Sequence, residues 1–368
     1  MSLLSKLSNR VSINTSFTKY FLNFCMQHDG SSKIRSITTK STVIHPISCE
    51  KPENIRKISV IGAAGLVGTA VAVNLLLTNV CDEVVLMDVN ENKLLGEEMD
   101  LNHARGLMKL PKISSTTNFE NTAGSCLIII TSGITKKSGQ TRLDIVHANA
   151  ELFKQIIPKI VKHSPNSILL ILTNPVDLMT YVAWKISCFE ENRVIGSGTE
   201  LDSSRFRYLI SERLGVNPTC VHGWIIGEHG DSSVPIWSEV NIAGTRLQDI
   251  NPDIGSECDP EQWNEIHKEV VKAGYVVHDL KGHTNWAVSA IAQGISRAIL
   301  TNAKTIHAVS TQVKGMHGIN SDVFISLPCV LGNSGVSDII NQCLTKNEQV
   351  MLQESVCILD KIKNTLKL

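Results

Sequence analysis

Short apolar runs recur along the chain after residue 56, each followed by a turn and then by a longer stretch with helical spacing. The runs Lys57–Ile61, Val84–Met87, Leu127–Thr131 and Ser167–Leu172 predict strands. Helices are predicted from Thr69 to about Thr78 and over Leu143–His163. Strands alternating with helices predict an α/β fold with a parallel, doubly wound sheet. Ligands in such sheets sit at the carboxyl ends of the strands. Those ends carry Gly62, Asp88, Ser132-Gly133 and Thr173-Asn174-Pro175. A closing helix is predicted near Lys346–Leu368, with a basic end that suits its C-terminus.

The first strand leads into Gly62-Ala63-Ala64-Gly65-Leu66-Val67-Gly68, and the second ends in Asp88, twenty residues after Gly68. Strand, glycine turn, helix, strand and acid in that order form a dinucleotide-binding unit of Rossmann type. Gly62, Gly65 and Gly68 let the backbone approach a pyrophosphate, and the helix N-terminus offers its unpaired N–H groups. Asp88 is placed to accept hydrogen bonds from the adenosine ribose and to repel a 2′-phosphate, which favours NAD over NADP. Gly133, Thr135 and Asn174, at later strand ends, complete the set of cofactor-binding candidates.

Chemistry concentrates in two further segments, Leu201-Asp202-Ser203-Ser204-Arg205 and Gly227-Glu228-His229-Gly230-Asp231. His229 titrates in the range needed to exchange a proton with a hydroxyl. Asp202 is suited to fix its tautomer. Arg205, three residues on, shares a helix face with Asp202 and can grip a carboxylate through two parallel hydrogen bonds. The combination points to hydride and proton transfer on a small 2-hydroxy acid.

From about residue 57 onward the chain resembles the L-lactate dehydrogenases of the lactate/malate dehydrogenase family. The matching segments include Leu86–Val89, Thr173–Trp184, Leu201–Arg213, His222–Trp237, Lys281–Trp286 and Asp322–Gly332. The resemblance implies His229 as acid/base, Asp202 as its partner and Arg205 as the carboxylate clamp. It also implies Asn174 between substrate and nicotinamide, and Thr284 on the pocket wall. Arg142 would polarise the substrate carbonyl from a lid, Gly133 to Arg142, that closes on it. A homotetramer is implied as well.

The chain departs from the pattern in several places. Lys136, six residues before Arg142, stands where lactate dehydrogenases have glutamine and malate dehydrogenases arginine. Lysine brings charge without the bidentate fork, so a malate dehydrogenase is the runner-up to a lactate dehydrogenase. A nearly inactive NAD-binding relative is the third reading. Glu200 stands where asparagine is usual and is expected to offset the positive potential that draws in the substrate. Thr199 replaces a cysteine, a change expected to be chemically harmless.

Composition narrows the rest. At 368 residues two lobes are expected: a nucleotide domain over 55–195 and a mixed α/β substrate domain over 196–368, after an extension over 1–54. The charge balance, 35 basic against 35 acidic residues, gives no reason to expect nucleic acid or an anionic membrane as partner. The apolar runs are too short to span a bilayer. Ten scattered cysteines, without Cys-x-x-Cys pairs or zinc-ligand spacing, predict buried free thiols and no structural metal. Residues 1–28 contain three basic residues and no acid, the composition of a mitochondrial transit peptide. The mitochondrial matrix is therefore the expected location, with the cytoplasm as alternative, and the stretch from about Thr42 to Asn54 is a candidate oligomerisation arm.

Overall fold

The computed structural model describes residues 55–134, 141–366 and 368, apart from the side chain of Arg142. The extension over 1–54, with its targeting and arm readings, lies outside the described residues, as do Thr135 and Lys136.

Six strands form the parallel half of the main sheet: β1 (Lys57–Ile61), β2 (Glu83–Met87), β3 (Lys112–Thr116), β4 (Leu127–Ile130), β5 (Ile168–Ile171) and β6 (Val194–Gly196). Their spatial order is β3-β2-β1-β4-β5-β6, so the order reverses between β1 and β4. That switch point is where a doubly wound sheet opens a ligand crevice. Helices α1 (Leu66–Leu77), α2 (Glu91–Ala104), α3 (Arg142–His163) and α4 (Val176–Ser187) connect the strands. The fully apolar β4 and β5 are buried on both faces, as strands covered by helices on each side must be.

The second half begins with α5 (Glu200–Leu214). Short strands follow: β7 (Val221–His222), β8 (Ile225–Gly227), β9 (Ser233–Pro235), β10 (Asn241–Ile242) and β11 (Thr245–Arg246). Next come α6 (Asn264–Lys281), α7 (Trp286–Leu300), the long β12 (Thr305–Gln312) and β13 (Phe324–Gly332), β14 (Gly335–Ile339) and α8 (Lys346–Lys363). The main sheet does not stop where the parallel strands end. Strand β12 pairs antiparallel with β6 through Ser310 and Gly196, and β13, β8 and β9 follow it. Residues 54–368 form one compact unit.

One apolar cluster joins α1 and α7 to one face of the sheet, through residues such as Val71, Leu75, Ile295 and Val309. A second packs α3 and α4 on the opposite face, around Phe153, Ile157 and Val182. Helix α5 is seated by Phe206, fully buried with its ring 4.8 Å from that of Trp237.

Two expectations shift. Helix α1 starts at Leu66, directly after the glycine turn, because Gly65 holds the extended N-cap conformation. Of the eight described cysteines only Cys81 and Cys329 are buried, and Cys126 is exposed with its thiol on the Ile55 carbonyl at 3.7 Å. The apolar run that follows Cys126 begins one residue too late to cover it.

Candidate active site

The glycine turn is built by backbone contacts that a side chain would obstruct. The amides of Gly62 and Ala63 both donate to the Met87 carbonyl, at 2.8 and 3.0 Å, which ties the turn to the end of β2. Gly62 has φ +90°, and a β-carbon there would lie 2.7 Å from the Ser132 amide nitrogen. At Gly68 a β-carbon would run into the Gly62 carbonyl. Helix α1 begins without a side-chain cap and without an acid in its first turn, so nothing competes with an incoming anion. Asp88 is half-buried at the end of β2 and accepts from the Ala64 amide at 3.1 Å. This cradle, the bare helix end and the acid fit a dinucleotide.

Gly133 sits across the crevice, where a β-carbon would lie 2.7 Å from Thr173 Cγ2. Asn149, a residue the sequence reading passed over, accepts from the Ile134 amide at 2.7 Å and donates to the Asn174 carbonyl at 3.0 Å. It thereby ties together the turns that follow β4 and β5. The available signal was an amide side chain on a helix face otherwise turned toward the core.

Helix α5 and the β8–β9 turn bring the candidate acid/base residues together. His229 Nδ1 lies 2.5 Å from Asp202 Oδ2, and the other Asp202 oxygen accepts from Arg205 Nη1 at 3.3 Å. Ser203 holds this geometry by binding both backbone groups of Ile225, its hydroxyl 2.9 Å from the amide and 3.2 Å from the carbonyl. The hydroxyl of Thr199 donates to the same carbonyl at 2.5 Å, so the threonine is a structural link between α5 and β8.

Behind the histidine stands a second carboxylate. Asp177, in the first turn of α4, is buried and accepts from the His229 amide at 2.8 Å. Burial pushes its pKa up to about 6, against the opposing effects of Ser310 and the His229 amide. Burial by itself would lower the His229 pKa, but the adjacent Asp202 carboxylate prevails and holds it above the ordinary value. Asp202 is buried too, yet His229 and Arg205 hold its pKa below the usual range. The pair therefore rests as imidazolium and carboxylate farther up the pH scale than an isolated histidine would.

Glu200 corrects the sequence reading. Its carboxylate turns toward β12, accepting from the Ala308 amide at 2.7 Å, with His307 Nδ1 at 3.4 Å and Arg207 at 3.9 Å. Burial raises its pKa, but these partners outweigh that and bring it below the usual value. A charge compensated in this way does not offset the potential at Arg205. It anchors the start of α5 instead.

Thr284 lies half-buried in the turn between α6 and α7 and, among the described residues, makes no side-chain hydrogen bond. Helix α7, which follows that turn, is tied to α1 in its first turn, where Ser289 accepts from Asn74 at 2.8 Å. Arg142 is the first residue of α3, whose start is fixed by a capping box between Thr141 and Asp144. Among the described residues there is no group of three or more His, Cys, Asp or Glu placed to hold a metal, and no helix long and apolar enough to cross a membrane.

Comparison with known proteins agrees with this geometry. Residues 56–196 match the model of the lactate/malate dehydrogenase NAD-binding domain, and residues 199–367 that of the family's α/β C-terminal domain. The chain is 50% identical over 331 residues to "L-lactate dehydrogenase A-like 6A" of Homo sapiens, covering 90% of this chain and 99% of that protein. Over 331 residues it is also 50% identical to "L-lactate dehydrogenase" of Petromyzon marinus, covering 89% and 99%. It is 48% identical over 332 residues to "L-lactate dehydrogenase A chain" of Cyprinus carpio, covering 90% and 99%. With the dinucleotide cradle and the His229–Asp202 pair on one continuous sheet, the chain belongs to the lactate/malate dehydrogenase family.

Proposed function

We propose that the protein is an NAD-dependent L-lactate dehydrogenase interconverting lactate and pyruvate. The observation that carries the reading is the buried His229–Asp202 contact of 2.5 Å with Arg205 on the same carboxylate. Gly62, Gly65, Gly68 and Asp88 would hold the adenosine and pyrophosphate side of NAD, with Gly133, Thr135 and Asn174 nearer its nicotinamide. NAD, when bound there, supplies the hydride acceptor.

The chain's own residues handle the proton and the orientation. With Nδ1 donating to Asp202, His229 presents Nε2 to the lactate hydroxyl and takes its proton as the carbonyl forms. Asp202 stabilises the resulting imidazolium. Arg205 retains its Nε and Nη2 donors for the substrate carboxylate and fixes which face of the carbon is presented. Arg142 is assigned to the carbonyl oxygen and Thr284 to the wall beside it. In the reverse direction the protonated His229 returns the proton to pyruvate.

The test is steady-state NADH oxidation with pyruvate and oxaloacetate side by side. A kcat/KM favouring pyruvate supports the reading, and a preference for oxaloacetate makes Lys136 the selector of a second carboxylate. Failure to turn over either acid while NADH still binds would sink the assignment.

Two further parts of the reading rest on separate observations. Exposed Leu95, Met99 and Leu107 on and after α2 support a homo-oligomer, a tetramer by family resemblance, checked by light scattering. The acid-free residues 1–28 support delivery to the mitochondrial matrix, checked by import of the full chain into isolated mitochondria.

A further inference from the structure

The turn that carries His229 is held by side chains from two helices. The Glu228 amide donates to Ser355 Oγ of α8 at 2.9 Å, and the next amide, that of His229, donates to Asp177 Oδ2 of α4 at 2.8 Å. Ser355 also accepts from the Ser232 hydroxyl at 3.2 Å. The two grips differ in one respect. Ser355 is neutral, whereas Asp177 brings an ionisable carboxyl, only 2% exposed, against the acid/base residue.

A backbone clamp does not ask for a carboxylate. One acceptor oxygen satisfies an amide, and asparagine supplies it in the same shape without a buried charge. The second oxygen of Asp177, Oδ1, is buried with no hydrogen-bond partner, as is the hydroxyl of Ser310 on β12. A buried carboxylate with one oxygen unmatched weakens a fold, so packing gives no reason for the charge.

The charge does have a use at His229. After burial and hydrogen bonding, the groups that act on Asp177 are Glu228 and His229, both from the β8–β9 turn. Burial lowers the His229 pKa and Asp202 raises it most; Asp177 raises it further, and Arg205 lowers it. Asp202 divides its charge between His229 and Arg205. Asp177 forms no ion pair among the described residues, so its charge is not shared in this way. His267 of α6 does not compete for Asp202, because burial lowers its pKa to about 4 and keeps it neutral.

We propose that Asp177 is a positioning residue for proton transfer: it clamps the His229 amide and, when ionised, adds a second negative charge that keeps the proton on the imidazole. The inference rests on the dehydrogenase reading of His229 given above. Burial sets the Asp177 pKa at about 6. The support is therefore present above that pH, where an ordinary imidazole sheds its proton, and absent below it, where none is needed.

The experiment measures kcat/KM for pyruvate with NADH across pH in the wild type, Asp177→Asn and Ser355→Ala. In each protein the His229 ring is also titrated by NMR, its signal identified by loss in His229→Gln. Asp177→Asn keeps an acceptor for the amide and removes only charge. Its alkaline fall should begin at lower pH, so that the ratio of kcat/KM at about pH 9 to that at about pH 6 drops by about 3-fold or more, less than loss of a carboxylate in direct contact with the ring would produce. The NMR midpoint should move the same way. Ser355→Ala loosens the turn without removing charge, and should lower kcat/KM by a similar factor at every pH while the midpoint stays in place. An unmoved limb and midpoint in Asp177→Asn, or an equal shift in Ser355→Ala, overturns the proposal and leaves the dehydrogenase reading intact. A wild type that turns over neither pyruvate nor oxaloacetate removes that reading and this inference together.

Discussion

The two ends of the crevice are built on different principles. The cofactor end is made of absences: glycines where a β-carbon would strike backbone, and a helix start with neither cap nor acid. The acid/base end is made of partners drawn from distant parts of the chain. Asp202 is 27 residues from His229, Asp177 is 52 away, and Glu200 reaches 108 residues to Ala308. A cradle of omitted side chains tolerates no additions, whereas a network of polar contacts tolerates no deletions. Substitutions at the two ends should therefore fail in different ways.

The largest effect is expected for Asp202→Asn, which keeps the shape and removes the charge. Loss of the orienting carboxylate should lower kcat/KM for pyruvate by about 10³–10⁴-fold. It should also move a pH limb. Pyruvate reduction needs protonated His229, so activity falls as pH rises through the His229 pKa, which Asp202 holds above its ordinary value. Without that charge burial prevails, and the fall should begin at lower pH. A limb that stayed in place would mean that Asp202 does not set the histidine's proton affinity.

Glu200→Ala comes next and separates structure from catalysis. It strips a buried carboxylate from Ala308, His307 and Arg207, at about 3 kcal/mol of stability, read by urea unfolding. The KM for pyruvate should stay near the wild-type value. If KM instead fell markedly, Glu200 would face the substrate after all.

Asp177→Asn isolates a smaller, pH-dependent quantity. A carboxyl whose folded pKa is raised from 3.8 to about 6 binds its proton more tightly in the native state. Its contribution is fully present below pH 4 and is lost as pH rises through about 6, roughly 3 kcal/mol in all. The asparagine variant has no such proton, so its stability relative to wild type should rise by up to that amount between pH 4 and 6. Parallel stability curves would place the Asp177 charge in a better-solvated site. Smallest is Gly68→Ala, where crowding against the Gly62 carbonyl costs about 1–3 kcal/mol. That loss should show as a weaker Kd for NADH, with the pH profile unchanged.

The same contrast explains what could be read from the sequence. The cofactor end is local: strand, glycines, helix and acid fall within residues 57–88, and their spacing was legible along with the α/β class. Asp202, Arg205 and His229 were legible through their residue types and the family resemblance. Glu200 was misread because its direction depends on β12, more than 100 residues away, whose amide and histidine redirect it. Asn149 and Asp177 were missed for the same reason, since each looks like an ordinary polar residue in a helix until its partner turn is known. Cys126 failed on burial, which depends on where a strand ends against its neighbours.

The pairing of β12 with β6 reaches beyond catalysis. Because Ser310 stands beside Gly196, the sheet that begins in the nucleotide-binding half is completed by strands made last. During synthesis the β12-facing edge of β6 stays open until the chain from 305 onward arrives. The two family segments therefore do not behave as interchangeable modules. Chimeras joined between 196 and 199 inherit a seam that runs through hydrogen bonds, and exchange between relatives should succeed only where β6 and β12 travel together.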